Sequence, residues 1–152
     1  VVANIFNDDF REFIAALNSC KVSYLLVGGY AVILHGYRRT TGDLDIWVNV
    51  TPQNYMRLLK SFSVFGLPAT DLTKENFLEN PAIEVFSYGR PPVSIDIMKI
   101  VKGCNFDEAY SLSNEYVEDG LKIRYVHILT LLASKKAAGR FKDLDDIEKL
   151  SK

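Results

Sequence analysis

The segment Asp43-Leu44-Asp45-Ile46-Trp47-Val48 constrains this chain most, because its side chains alternate strictly in character. Successive residues of a strand point to opposite faces, so Leu44, Ile46 and Val48 share an apolar face while Asp43, Asp45 and Trp47 share the other. The alternation predicts a half-buried strand from Asp43 to Val50. Two carboxylates side by side on one face repel each other, and a fold that keeps them must supply a cation or bind a proton more tightly. Ser94-Ile95-Asp96-Ile97-Met98 again sets an acid between apolar neighbours. If its strand lies beside the first, Asp96 joins Asp43 and Asp45. Hard oxygen donors in such a cluster suit Mg²⁺, or Mn²⁺ in its place, and Mg²⁺ in turn suits triphosphates.

The rest of the chain divides into short elements with clear punctuation. Asn7 can cap a helix from Asp8 to about Ser19, with Phe10, Phe13, Ile14 and Leu17 on one face. Tyr24 to Val27 reads as a buried strand that Gly28-Gly29 turns into an apolar helix ending near His35-Gly36. Thr51 and Pro52 start a helix that runs to about Phe65 and stops at Gly66. A short helix over Thr73 to Leu78 precedes strands Ile83 to Tyr88 and Val93 to Met98, joined by a turn at Gly89-Arg90-Pro91-Pro92. Asn105 to Ser113 reads as helix, and Glu115 to Val117 with Leu121 to Arg124 as a hairpin across Asp119-Gly120. Helix returns from about Val126 to Ala138, breaks at Gly139, and resumes from Lys142 to Leu150 with Leu144, Ile147 and Leu150 as its apolar face.

Neither a linker nor an internal repeat interrupts the 152 residues, so the expectation is one domain spanning 1–152, an α+β unit with helices packed around a small mixed sheet. With 48% hydrophobic and 24% charged residues, a disordered or collagen-like chain is excluded. A formal net charge of -1 argues against a broad nucleic-acid-binding surface and leaves room for a local basic patch. Cys20 and Cys104 are too few for a disulfide framework, and no apolar run is long enough to span a membrane. A cytoplasmic location without membrane attachment is therefore expected.

Gly28-Gly29 gives the acids a chemical context. Glycines at a strand-to-helix turn let backbone N–H groups approach a phosphate closely. With metal held by Asp43, Asp45 and Asp96, such a site could orient an attacking hydroxyl and stabilise a leaving pyrophosphate in an in-line transfer. Asp96 is the candidate base, or a group that positions the hydroxyl or a second metal.

Together these residues resemble the nucleotidyltransferase superfamily with the DNA polymerase beta fold, particularly its minimal, antibiotic-modifying and toxin-type bacterial and archaeal members. Val27-Gly28-Gly29, a short helix and Asp43-Leu44-Asp45 match the signature, with Asp96 as the later third acid. Arg39, Thr41 and Asp43 resemble the Arg-x-Thr-x-Asp approach of the toxin-type subgroup, and Lys135 before Arg140-Phe141-Lys142-Asp143 resembles its terminal Lys and Arg-x-Lys-Asp segment. The resemblance implies a nucleotidyltransferase-like fold with a helical C-terminal segment. It also implies a Mg²⁺-dependent enzyme that transfers an NMP from an NTP to a hydroxyl and releases pyrophosphate. Asp43, Asp45 and Asp96 would be its catalytic and metal-binding acids. Gly28, Gly29, Arg39, Thr41, Lys135 and Arg140 would bind the nucleotide, with Asp143 and Asp146 available for pairing. The acceptor would be an RNA or tRNA end, a protein or a small molecule, and a cognate antitoxin or second subunit the expected partner. The oligomeric state stays open.

Plainer readings stand beside these. Gly28-Gly29 can be a tight turn without a ligand, and the three acids can be solvated strand residues. His35 can finish a helix or hydrogen-bond in the core, and Arg38 and Arg39 can be solvated charges. Trp47 and Tyr30 suit core packing better than stacking on a base. Lys135, Arg140 and Lys142 divide between phosphate-facing roles and ordinary helix surface. The competing function is a noncatalytic nucleotide-binding or protein-interaction subunit on the same fold; a metal-dependent phosphotransferase or nuclease fits the glycine turn less well.

Overall fold

The computed structural model describes residues 4–90 and 93–151. Side chains start its helices where the sequence places capping residues. The Asn7 Oδ1 accepts the Phe10 amide at 2.8 Å at the head of α1 (Asp8–Ser19). Thr51 Oγ1 accepts the Asn54 amide at 3.1 Å at the head of α3 (Pro52–Phe65), which Gly66 ends in the left-handed conformation. Between them lie β1 (Tyr24–Val27), α2 (Gly28–Leu34) and β2 (Asp43–Val48). Then come α4 (Lys74–Leu78), β3 (Val85–Arg90), β4 (Val93–Met98), α5 (Phe106–Leu112), β5 (Asn114–Glu118), β6 (Leu121–Tyr125), α6 (Ile128–Ala138) and α7 (Phe141–Leu150).

Six strands form one mixed sheet in the order β3-β4-β2-β1-β6-β5. The β3/β4 and β5/β6 pairs are antiparallel hairpins and β1 runs antiparallel to β2, whereas β2/β4 and β1/β6 are parallel. Asp119 and Gly120, both with positive φ, make the tight turn of the second hairpin. Leu44, Ile46 and Val48 pack with Phe13, Ile14 and Leu17 of α1 and Leu58 and Phe62 of α3 on one face of the sheet. On the other, Trp47 packs with Leu25, Val27, Ala31 and Leu131, and its ring meets Phe106 edge-on. This is the expected α+β architecture with a helical pair at the C-terminal end.

Several expected boundaries move. The strand beginning at Asp43 ends at Val48, and β3 starts at Val85 rather than Ile83 and takes in Gly89 and Arg90. Pro91 and Pro92 of the expected turn lie outside the described residues. Val126 stays extended, donating its amide to the Leu26 carbonyl at 3.2 Å, and α6 begins only after His127, whose ring accepts the Leu129 amide. The larger correction concerns α7. Its buried residues are Asp143, Asp146 and Leu150, while Leu144 is half exposed, so two acids occupy much of the face expected to be apolar. Cys20 and Cys104 are free thiols. Among the described residues no helix is long and apolar enough to cross a membrane.

Candidate active site

Parallel pairing of β2 with β4 sets Asp43 opposite Ser94 and Asp45 opposite Asp96. All four side chains lie on the sheet face that carries Trp47, at the end of the sheet where β1 runs into α2. The Asp45 and Asp96 carboxyls hydrogen-bond to each other. Ser94 Oγ donates to Asp43 Oδ1 at 2.7 Å and lies 3.4 Å from Asp96 Oδ1, linking the third acid to the pair. Burial, then the charge and hydrogen bond of Asp96 and the charge of Asp43, push Asp45 up to about 7, and Lys135 only partly opposes them. The strand thus holds an acid that gives up its proton near neutrality unless a cation is supplied.

Gly28 and Gly29 leave room for this arrangement. Gly28 has φ +71°, and a Cβ there would sit 2.0 Å from Asp45 Oδ2. Only glycine meets both demands, so the start of α2 and the Asp45 carboxylate are in direct apposition. A Cβ on Gly29 would come within 2.9 Å of Thr41, whose hydroxyl accepts the Asp43 amide at 3.4 Å.

Cations stand on the facing wall, each tied to an acid of α7. Lys135, 5% exposed, contacts Asp143 and Asp146 at 3.2 Å each. Arg39 pairs with the same Oδ2 of Asp146. Arg140 donates Nε to Asp143 Oδ2 at 2.6 Å while its side chain stays largely exposed. Burial alone would raise Asp143, but the bonds and charges of Arg140 and Lys135 hold it below the usual carboxylate range.

The three acids, the two glycines, Arg39, Thr41, Lys135 and Arg140 all line one cleft of about 320 Å³. A second hollow of about 220 Å³ also reaches Gly28, Asp45, Lys135 and Arg140. A larger groove of about 620 Å³ lies at the opposite end of β1, lined by Lys21, Tyr24, Tyr110, Lys122 and Arg124. It holds no cluster of acids, its one carboxylate, Glu115, lying 3.8 Å from Arg124, and its polar groups are engaged locally: Tyr24 donates to Asn18 at 2.8 Å, and Arg124 stacks 4.9 Å over Tyr110. The chemistry therefore points to the smaller cleft. Among the described residues no three His, Cys, Asp or Glu side chains converge as a preformed metal-binding group. Asp43 is engaged by Ser94, and Asp45 and Asp96 by each other.

The plainer readings hold for several other residues. His35 Nε2 bonds to the Val126 carbonyl at 2.8 Å, Trp47 is core, and Tyr30 stacks on Phe6. Sequence reading missed Ser94 as a contact of the acids, although it stands two residues before Asp96 and so shares its strand face. Glu84 also lines the cleft and carries no local pattern that would single it out.

No protein-family model matches the chain, and no curated protein matches it in sequence. Solved structures do share its fold. A candidate nucleotidyltransferase of Thermotoga maritima superposes with a TM-score of 0.55 at 14% identity, over 92% of this chain and 88% of that one. An antigenic nucleotidyltransferase-like protein of Paracoccidioides brasiliensis gives 0.53 at 16% identity, over 93% of this chain and 74% of that one. The chain has the nucleotidyltransferase fold.

Proposed function

We propose that the protein is a metal-dependent nucleotidyltransferase that moves an NMP from an NTP to a hydroxyl and releases pyrophosphate. The observation that carries this reading is the β2/β4 register, which places Asp45 beside Asp96 with Asp43 tied in through Ser94. The donor set fits a divalent cation: three hard carboxylates face one cleft, and Asp45 keeps its proton to about pH 7 without one. Asp43, Asp45 and Asp96 would hold Mg²⁺. When bound, the ion neutralises the acids and draws electron density from the phosphoryl oxygens.

The chain's own residues supply the rest. Arg39 and Lys135 set positive charge across the cleft from the acids, where a polyphosphate gains most from it. The Gly28-Gly29 turn closes on Asp45 and Thr41 with no Cβ in the way, so a phosphate held at the acids would lie beside the start of α2. Asp96 accepts the proton of the attacking hydroxyl. The acceptor classes to test are an RNA or tRNA end, a protein hydroxyl and a small molecule. A noncatalytic nucleotide-binding or interaction subunit is the second reading, favoured by the acids of α7 that already engage Arg39, Lys135 and Arg140.

Incubation with α-labelled NTPs and Mg²⁺, over a panel of these acceptors, separates the two. Label transfer and pyrophosphate release by the wild type, both lost in folded Asp43→Asn and Asp45→Asn variants, are the expected result. Transfer that survives in the double variant refutes the assignment of the acids. Nucleotide binding without turnover on any acceptor favours the second reading.

A further inference from the structure

Asp146 is the junction of the cationic wall. It is 4% exposed, and its Oδ2 accepts from two cations brought in by different parts of the chain. Lys135 comes from α6, eleven positions earlier on a rigid helix. Arg39 comes from the segment between α2 and β2, which has no helix or strand of its own, and reaches Asp146 across a separation of 107 residues. Lys135 keeps a second tie to Asp143. Among the described residues Asp146 is the ion-pair partner of Arg39.

A buried carboxylate in this place lowers the positive potential that an anionic substrate would meet, so attraction does not account for it. Geometry does. Sharing one oxygen fixes the guanidinium and the ammonium relative to each other, and it anchors the segment that also carries Thr41 against Gly29. Preorganised cations need no rearrangement when a polyphosphate arrives.

We propose that Asp146 is a positioning residue that holds Arg39 and Lys135 in register for the polyphosphate of the substrate. The inference rests on the nucleotidyl-transfer reading. It is tested on the full chain by calorimetric titration with inorganic tripolyphosphate and Mg²⁺, a probe without a base, and by NTP kinetics where turnover is found. Asp146→Asn should weaken tripolyphosphate binding about tenfold and raise the KM for NTP about as much, with kcat within about twofold. Asp146→Glu, which restores the charge, should recover part of the affinity. Asp146→Asn combined with Arg39→Met should lose less than the two single losses together, because Asp146 acts in part through Arg39. If a melt shows that Asp146→Asn does not fold, Arg39→Lys, which keeps the charge but shortens the reach to Asp146, should show the same loss. Unchanged or tighter binding by Asp146→Asn, or full additivity in the double variant, overturns the positioning role and leaves the nucleotidyl-transfer reading standing. A wild type that binds neither tripolyphosphate nor NTP overturns both.

Discussion

Asp45→Asn should stabilise the metal-free protein at pH 8 and leave its stability nearly unchanged at pH 4. The Asp45 carboxyl is pushed up to about 7 from an ordinary 3.8, first by burial and then by Asp96 and Asp43. A folded-state value above the unfolded one means that the bound proton stabilises the native state; the contribution is complete below about pH 4 and is lost as pH rises to about 7. At about 1.36 kcal/mol for each factor of ten in proton affinity, the ceiling on the loss is about 4 kcal/mol. Lys135 opposes part of the repulsion and counterions reach the open cleft, so about 2 kcal/mol is the expected gain from the neutral amide. For a chain of this length that corresponds to a rise in Tm of about 4–8 °C. Thermal melts from pH 4 to pH 8 in EDTA, repeated with millimolar Mg²⁺, read it directly. Magnesium should recover most of the difference in the wild type and add little to the variant. Destabilisation at pH 8, or an equal gain at pH 4, would show that Asp45 is not held against electrostatic repulsion.

Other expectations follow from the same geometry. Gly28→Ala should cost about 2–3 kcal/mol, because the methyl collides with Asp45 and φ is +71°, whereas Gly36→Ala, with open space around its Cβ position, should cost about 1 kcal/mol for backbone strain alone; urea titrations of both variants give the contrast. Lys135→Met should cost about 3 kcal/mol in the same assay, since it strips a cation from two buried acids of α7. Ser94→Ala should change the melting temperature by no more than about 2 °C and yet weaken Mg²⁺ binding several-fold, because it frees Asp43 without opening the core; calorimetric titration with MgCl₂ checks it.

Much of the fold is legible where local chemistry decides the structure. Asn7, Thr51 with Pro52, and Gly66 each act through bonds a few residues away, and the helices they bound lie where the sequence puts them. The grouping of Asp43 with Asp45 follows from strand periodicity alone. That Asp96 stands opposite Asp45 does not, because it depends on a parallel register between strands about fifty residues apart, which no local pattern encodes. Helix α7 is the instructive failure. Leu144, Ile147 and Leu150 read as a buried face, since burying Asp143 and Asp146 instead is costly without partners. The partners exist, but Arg39 is 107 positions away and Lys135 lies on another helix, so the balance that turns α7 is struck in three dimensions.

The distance along the chain between the parts of the cleft also bears on how the protein folds. Ser94 meets Asp43 across 51 residues, and Arg39 meets Asp146 across 107. Closing such loops is slow relative to forming the hairpins and helices around them. Until β4 settles beside β2, Asp96 is remote from Asp45 and the repulsion between them is absent. The electrostatic penalty of the cleft is therefore incurred late, when β4 docks, after most local structure can already have formed. A chain released before α7 has emerged would lack Asp143 and Asp146, leaving Lys135 and Arg39 without their counter-charges. Arg39 and Lys135 are thus synthesised before the acids that bring them together.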